Sequence, residues 1–356
     1  MTVSVSALDS SDISAECAVL ISQQTGEVIF KKNAYKHHSM ASTTKIMTSL
    51  LAAQSGKLHD EITVSKEMIL VEGTSMGLLP GDSVSLYELI YGMLLPSGND
   101  AANVTAYYLG GNVENFVKKM NTKAKEIGME NTNFVTPSGL DDEMHYSTAY
   151  DMALLGRCAV GDPVFRSVCS SKKASLSYGN PPYKRTLYNH NRLLESYKYA
   201  LGIKTGFTKK SGRCLVSYAE KDGTGLIAVT LNAPNDWNDH KLMLDFGFSK
   251  LKRFVFKPVI PEYMDVVGGN VEKFKISCEQ FEYDSLEHRN VIQKLVIDKF
   301  AYAPIKKGDK LGKVMLYLDG SYIGSTDICA AEDVGLLIQK QEEKSFFQRI
   351  KERFLK

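Results

Sequence analysis

Met40-Ala41-Ser42-Thr43-Thr44-Lys45-Ile46-Met47-Thr48-Ser49-Leu50-Leu51-Ala52-Ala53-Gln54 sets a polar tetrad, Ser42 to Lys45, between apolar flanks. Ile46, Met47, Leu50 and Leu51 recur at helical spacing and the run stops before Gly56, which predicts a buried helix over 42–54. Residues three apart on a helix share a face, so the Ser42 hydroxyl and the Lys45 amine come within reach of one another. Serine with a lysine base is a nucleophile pair. Alone, Ser-x-x-Lys is weak, because a chain of this size holds roughly two or three by chance. Its ordinary alternative is an N-capping Ser followed by a surface Lys. Met40-Ala41 and Ile46-Met47 oppose that alternative, since they place Lys45 where the helix is buried.

Upstream, the apolar runs 17–22 and 27–31 flank Gln24-Thr25-Gly26 and predict a β-hairpin. Downstream, Ser85 and Glu88 form a capping box for a helix over 86–95 that ends at Pro96. Helical periods follow over 99–109, 113–127 and 148–160. Beyond Tyr199 the apolar runs become short and β-branched, and 213–219 and 226–231 flank Asp222-Gly223-Thr224-Gly225 as a second hairpin. Strands, then helices, then strands imply a sheet completed by both ends of one domain and covered by helices, over residues 1–253. Short alternating segments over 254–334 predict a small all-β module. A helical period with Phe347, Ile350 and Phe354 on one side ends the chain over 335–356. Its basic composition suits an interfacial amphipathic helix, and packing on its own domain is the alternative.

The chain has 356 residues, 44% hydrophobic and 24% charged, the composition of a globular protein of two domains. Lys and Arg total 43 against 41 Asp and Glu, so no global field would gather nucleic acid. No stretch reaches the roughly 18 apolar residues of a membrane span. The six cysteines and seven histidines lack zinc spacing, so no metal or cofactor is expected, and most of the cysteines read as small buried hydrophobes.

Two further motifs stand out. Ser97-Gly98-Asn99 follows Pro96 between two helices, where a loop can offer a hydroxyl and an amide to a cleft; for Asn99 alone, an N-cap is the ordinary reading. Lys204-Thr205-Gly206 ends an apolar strand, a triplet expected by chance only about 0.1 times in such a chain.

Ser-x-x-Lys, Ser-x-Asn and Lys-Thr-Gly, in that order at 42, 97 and 204, resemble the motif set of penicillin-binding proteins and class A β-lactamases. With 40–48, 96–102 and 202–208 as its longer pieces, the chain looks like a D-alanyl-D-alanine carboxypeptidase of the low-molecular-mass penicillin-binding protein group. The resemblance implies an α+β fold: a penicillin-binding/β-lactamase-like transpeptidase domain, an antiparallel sheet with helices, followed by a small C-terminal all-β domain and a terminal amphipathic helix. It implies that Ser42 attacks the bond between the terminal D-alanines of a peptidoglycan stem peptide after Lys45 takes its proton. Ser97 would relay the proton to the leaving D-Ala, Asn99 would hold the peptide amide, and Lys204 with Thr205 would bind the terminal carboxylate. Gly206 belongs to the same motif, and backbone N–H groups of Ser42 and Phe207 would form the oxyanion hole. β-Lactams are the implied covalent inhibitors, and an anionic membrane surface is the partner expected of the terminal helix.

Two departures qualify the resemblance. Phe207 stands where many relatives carry His, and 232–237 lacks the Arg that often assists the carboxylate, which leaves Arg213 or Lys241 as substitutes. A β-lactamase would need a Glu-x-x-Leu-Asn type segment between the second and third motifs, and 148–192 has none. A silent wall-binding or β-lactam-sensing protein would not need Ser42, Lys45, Ser97, Asn99 and Lys204 all intact. Peptidoglycan lies outside the cytoplasmic membrane, so a signal peptide and an extracytoplasmic, cell-envelope location are expected.

Overall fold

The computed structural model describes residues 8–337. Two compact units divide the chain, one running to Lys252 and including Asp284–His288, the other made of Arg253–Tyr283 and the described residues from Arg289 onward. In the first unit, strands β1 (Cys17–Ser22), β2 (Val28–Lys32), β3 (Glu61–Thr63), β4 (Ser83–Ser85), β5 (Lys173–Gly179), β6 (Pro182–Tyr188), β7 (Ala200–Thr208), β8 (Gly212–Lys221) and β9 (Thr224–Leu231) alternate with helices. These are α1 (Lys45–Ala53), α2 (Leu86–Leu94), α3 (Asn99–Gly110), α4 (Val113–Glu126), α5 (Ala149–Val160), α6 (Pro163–Cys169), α7 (Leu193–Ser196) and α8 (Asp236–Lys250).

The main sheet is antiparallel in the order β2-β1-β9-β8-β7, so both ends of the unit do complete it. Burial on both faces explains why β1 reads as an unbroken apolar run instead of an alternating one. Cys17, Val19 and Ile21 pack into the core shared with α1, α2, α3 and α5, while Ala18 and Leu20 pack with Met243 and Leu244 of α8 on the other face. Each fully buried Val, Ile, Leu or Met among them contributes about 1.5–3 kcal/mol. α8 has no apolar stripe to announce it. Its buried positions 236, 239, 240, 243, 244 and 247 keep helical spacing, but Asp236, Asp239 and His240 occupy three of them. Asp239 is satisfied by the Ser14 and Ala15 N–H groups at 2.9 Å and the Ser14 hydroxyl at 2.8 Å, and His240 Nε2 meets Thr230 Oγ1 at 3.0 Å.

The remaining strands are β10 (Lys252–Phe256), β11 (Tyr263–Val267), β12 (Lys273–Cys278), β13 (Phe281–Ser285), β14 (Val291–Ile297), β15 (Phe300–Tyr302), β16 (Lys310–Leu318) and β17 (Ser321–Ala330), and all but the first residue of β10 and the last two of β13 belong to the second unit. Six of them form a sheet in the order β14-β16-β17-β12-β11-β15 over a core of Phe274, Val314, Leu316 and Ile328. The helix expected over 335–356 lies outside the described residues except at its start, where the expectation needs correction. Leu336 bridges Gly269, and the Leu337 N–H donates to the Gly268 carbonyl at 2.9 Å, so 335–337 is extended. That pairing uses a backbone donor that a first helical turn would leave free. All six cysteines are free thiols.

Candidate active site

Ala41–Thr44 forms a 3-10 turn and α1 starts at Lys45, so Ser42 sits just before the α-helix and not within it. Ala41 holds the left-handed conformation at φ +47°, a strained state for a residue with a β-carbon. Lys45 is completely buried, and its Nζ lies 2.9 Å from Ser42 Oγ, 2.6 Å from Asn99 Oδ1 and 2.7 Å from the Ser138 carbonyl oxygen. Of these three neighbours, the amide and carbonyl oxygens can only accept. A neutral amine therefore gives its two hydrogens to them and turns its lone pair toward the Ser42 hydroxyl, the only partner with a proton to give. Burial holds the Lys45 pKa well below the usual lysine range, and the charge of Lys204 pushes it the same way, with Asp100 opposing.

Ser97 adopts φ +65° between α2 and α3. Gly98 is the residue that caps α3, and Asn99 is its first helical residue, so the N-cap reading of Asn99 fails. Its side chain crosses the site instead, with Oδ1 on Lys45 and Nδ2 donating to the Glu72 carbonyl at 2.6 Å. The neighbouring Asp100 is a buried clamp. Its carboxylate accepts from the Met76, Gly77 and Leu78 N–H groups at 2.9, 3.1 and 3.1 Å, from Ser75 Oγ at 2.5 Å and from the Ala101 N–H at 2.9 Å. The loop so held returns two bonds to the second motif: Thr74 Oγ1 donates to the Ser97 carbonyl at 2.5 Å, and the Thr74 carbonyl accepts the Asn99 N–H at 2.7 Å.

Lys204, Thr205, Gly206 and Phe207 lie on β7, which passes beneath the 3-10 turn that carries Ser42. A β-carbon on Gly206 would stand 3.1 Å from the Met40 oxygen and from the Ser42 and Thr43 nitrogens, so glycine permits this approach. Lys204 is buried and its Nζ donates to the Thr205 carbonyl at 2.9 Å. Burial lowers its pKa to about 7. A charge on Lys204 in turn disfavours a proton on Lys45. Phe207 is 65% exposed, leaving its ring free of the core.

The three motifs meet in one cleft of about 470 Å³, whose walls include Ser42, Ser97, Asn99, Thr205, Gly206 and Phe207. Arg213 also lines it. Its guanidinium donates to Asp236 Oδ1 through Nε at 3.0 Å and Nη2 at 2.9 Å, and it stacks 5.5 Å from the Trp237 ring. Phe207 and Arg213 are cross-strand partners on β7 and β8, which puts Arg213 on the sheet face of Thr205. Lys241, the other substitute, sits on α8 and is not part of the cleft wall. Sequence reasoning missed Asp100, the Ser138 carbonyl, His145, whose ring meets Thr44 beside the turn, and His190, which lines the cleft. Only Asp100 had a signal, as an acid in the first turn of a helix that starts inside a motif; a carbonyl acceptor has none.

Residues 2–235 match the peptidase family of D-alanyl-D-alanine carboxypeptidases, and residues 257–336 match the C-terminal domain of penicillin-binding protein 5. The chain is 35% identical to the D-alanyl-D-alanine carboxypeptidase DacF of Bacillus subtilis over 339 residues, covering 90% of this chain and 86% of that one. It is 33% identical to DacC of Escherichia coli, covering 96% and 88%. Penicillin-binding protein 5 of Haemophilus influenzae superposes with a TM-score of 0.67 at 29% identity, over 92% of this chain and 100% of that one. The Streptomyces K15 DD-transpeptidase superposes with a TM-score of 0.63 at 31% identity, over 67% and 98%. With Lys45 Nζ against Ser42 Oγ in this cleft, and matches to these enzymes over both units, the chain belongs to the D-alanyl-D-alanine carboxypeptidase family of serine-type hydrolases.

Proposed function

We propose that Ser42 is the nucleophile that removes the terminal D-Ala from peptidoglycan stem peptides, with Lys45 as its base. The contact that carries this reading is the 2.9 Å approach of Lys45 Nζ to Ser42 Oγ inside a buried site that favours the neutral amine. Lys45 takes the hydroxyl proton as Oγ bonds to the carbonyl carbon of the penultimate D-Ala. The resulting oxyanion is met by the Ser42 and Phe207 backbone N–H groups. As the C–N bond breaks, the proton on Lys45 passes through Ser97 to the departing amine. Water then cleaves the ester, releasing the shortened peptide and restoring the Ser42 hydroxyl.

Asn99 holds the peptide amide, and Lys204 with Thr205 binds the terminal carboxylate, with Gly206 keeping the strand close to the nucleophile turn. Arg213 adds a second cation on the same sheet face, held in place by Asp236. β-Lactams acylate the same serine, because the ring amide mimics the scissile bond and its leaving group stays tethered.

The domain scheme follows the same reading: the peptidase over 1–253, a β-rich domain over 254–334 and, past the extended residues 335–337, the segment expected from the sequence to meet a membrane surface, which lies outside the described residues. Among the described residues no helix is long and apolar enough to cross a membrane. Export to the cell envelope follows from the substrate, with anionic lipid as the surface the terminal basic residues would meet.

Release of D-Ala from a diacyl-Lys-D-Ala-D-Ala peptide tests the assignment. Wild type should release one equivalent per peptide and Ser42→Ala none. Turnover surviving in Ser42→Ala would refute it.

A further inference from the structure

We infer that His145 is a positioning residue for the Ser42–Lys45 pair, acting through Thr44 by tying the loop that carries the Ser138 carbonyl to the nucleophile turn. The inference rests on the proposed roles of Ser42 and Lys45 and extends them to a residue that touches neither.

His145 is 3% exposed. Its Nδ1 receives the Val135 N–H at 2.9 Å and the Thr136 N–H at 3.3 Å, so that nitrogen carries no proton. The ring hydrogen is therefore on Nε2, which lies 2.8 Å from Thr44 Oγ1. The Thr44 hydroxyl gives its own proton to the Ala41 carbonyl at 2.8 Å, leaving a lone pair to accept from the imidazole. A directed chain thus runs from the backbone at 135–136 through imidazole and hydroxyl to Ala41, the strained residue preceding the nucleophile.

What the chain holds together is the site itself. The Pro137 carbonyl accepts from Thr48 Oγ1 at 2.6 Å, the Ser138 carbonyl accepts from Lys45 Nζ at 2.7 Å, and Gly139 packs directly on the Ala41 carbonyl. Between residue 136, pinned at Nδ1, and Thr44, pinned at Nε2, lies the carbonyl that takes one of the two hydrogens of neutral Lys45. Without the link, that acceptor loses its fixed distance, and the lone pair of Lys45 is no longer confined to the Ser42 hydroxyl. Substrate-binding groups on β7 are not part of the chain, so binding and chemistry should separate.

The test measures acylation by a fluorescent penicillin in folded protein, resolving the dissociation constant of the noncovalent complex from the acylation rate constant. A wild-type adduct on Ser42 is the control; its absence would refute the underlying Ser42 reading and not this one. His145→Gln keeps a side-chain N–H long enough to reach Thr44, whereas His145→Asn keeps an acceptor for 135–136 but falls short of Thr44. The expected result is an acylation rate constant within about threefold of wild type for His145→Gln and lowered about tenfold to a hundredfold for His145→Asn, with dissociation constants little changed in both. Thr44→Val, which removes only the hydroxyl, should reproduce the slow acylation, and Thr44→Ser should restore it; this pair decides the matter if His145→Asn does not fold. Wild-type acylation in Thr44→Val or His145→Asn would overturn the inference, as would slow acylation in His145→Gln.

Discussion

Gly139 lies so close to Ala41 that a β-carbon on it would fall 2.0 Å from the Ala41 carbonyl oxygen and 2.7 Å from Thr44 Oγ1. Gly139 also holds φ +87°, where a side chain is strained in any case. Gly139→Ala must therefore push the loop off the nucleophile turn and carry Ser138 away from Lys45. The expected outcome is a loss of several kcal/mol in stability together with a fall in acylation of at least about tenfold. Urea unfolding and penicillin acylation on the same preparation check it; unchanged values in both would contradict the packing described.

Asp100 should act on both geometry and charge. In Asp100→Asn one acceptor oxygen becomes a donor facing the Gly77 and Leu78 N–H groups and the Ser75 hydroxyl, at about 1–3 kcal/mol for each buried group left unpaired. Residues 72–78 should become more sensitive to limited proteolysis, and acylation should slow as Ser97 and Asn99 lose their supports. The removed carboxylate had raised the Lys45 pKa, so the ascending limb of the pH profile should move to lower pH. An ascending limb displaced upward would contradict that electrostatic role.

The two lysines predict the shape of that profile in wild type. Lys45 must lose its proton to act and its pKa is lowered, so the ascending limb of kcat/KM should lie well below 10.5. Lys204 must keep its proton to attract the carboxylate and titrates at about 7, so kcat/KM should decline, and KM rise, above that pH. A bound carboxylate favours the Lys204 ammonium, which should displace the alkaline limb of kcat upward relative to that of kcat/KM. An alkaline limb at the same pH in both parameters would remove Lys204 from carboxylate binding.

Much of the site was legible in the chain, for reasons that differ from motif to motif. Ser42 and Lys45 are three apart in a helical stretch, and a 3-10 turn preserves that proximity as well as an α-turn would. Lys204 and Gly206 do lie on the apolar strand the sequence predicts, but in the middle of β7, which runs on to Thr208 instead of ending at the motif. Asp100 and His145 stayed hidden because each works through backbone N–H groups of a loop with no period of its own. In α8 the obstacle was a buried face filled by Asp236, Asp239 and His240, whose partners lie far away in sequence. The same face explains why Arg213 lines the cleft: its anchor, Asp236, opens a helix that an apolar period could not reveal.

Acid stability follows from two buried histidines. Burial lowers His145 to about 4 and His240 to about 3, against about 6.5 in an unfolded chain. Both folded pKa values are depressed, so the unfolded state binds more protons below pH 6.5. The stabilisation is then complete above that pH and is lost as pH falls toward 4 and then 3, with roughly 2–3 kcal/mol gone for each residue by about pH 4.5. Urea midpoints at pH 7 and pH 4.5 should differ accordingly, and by less in a His145→Gln, His240→Gln double variant. Equal pH sensitivity in the two proteins would contradict the assignment to these residues.

The most direct test of Ser42 as nucleophile and Lys45 as its base is the intact mass and peptide map of the protein after exposure to benzylpenicillin. Wild type should gain one adduct per chain, carried by the peptide containing Ser42. Ser42→Ala should gain none, and Lys45→Arg, which keeps the charge but cannot lose the proton, should acylate far more slowly while remaining folded. An adduct that persists undiminished in Ser42→Ala, or near wild-type acylation in Lys45→Arg, would contradict the account.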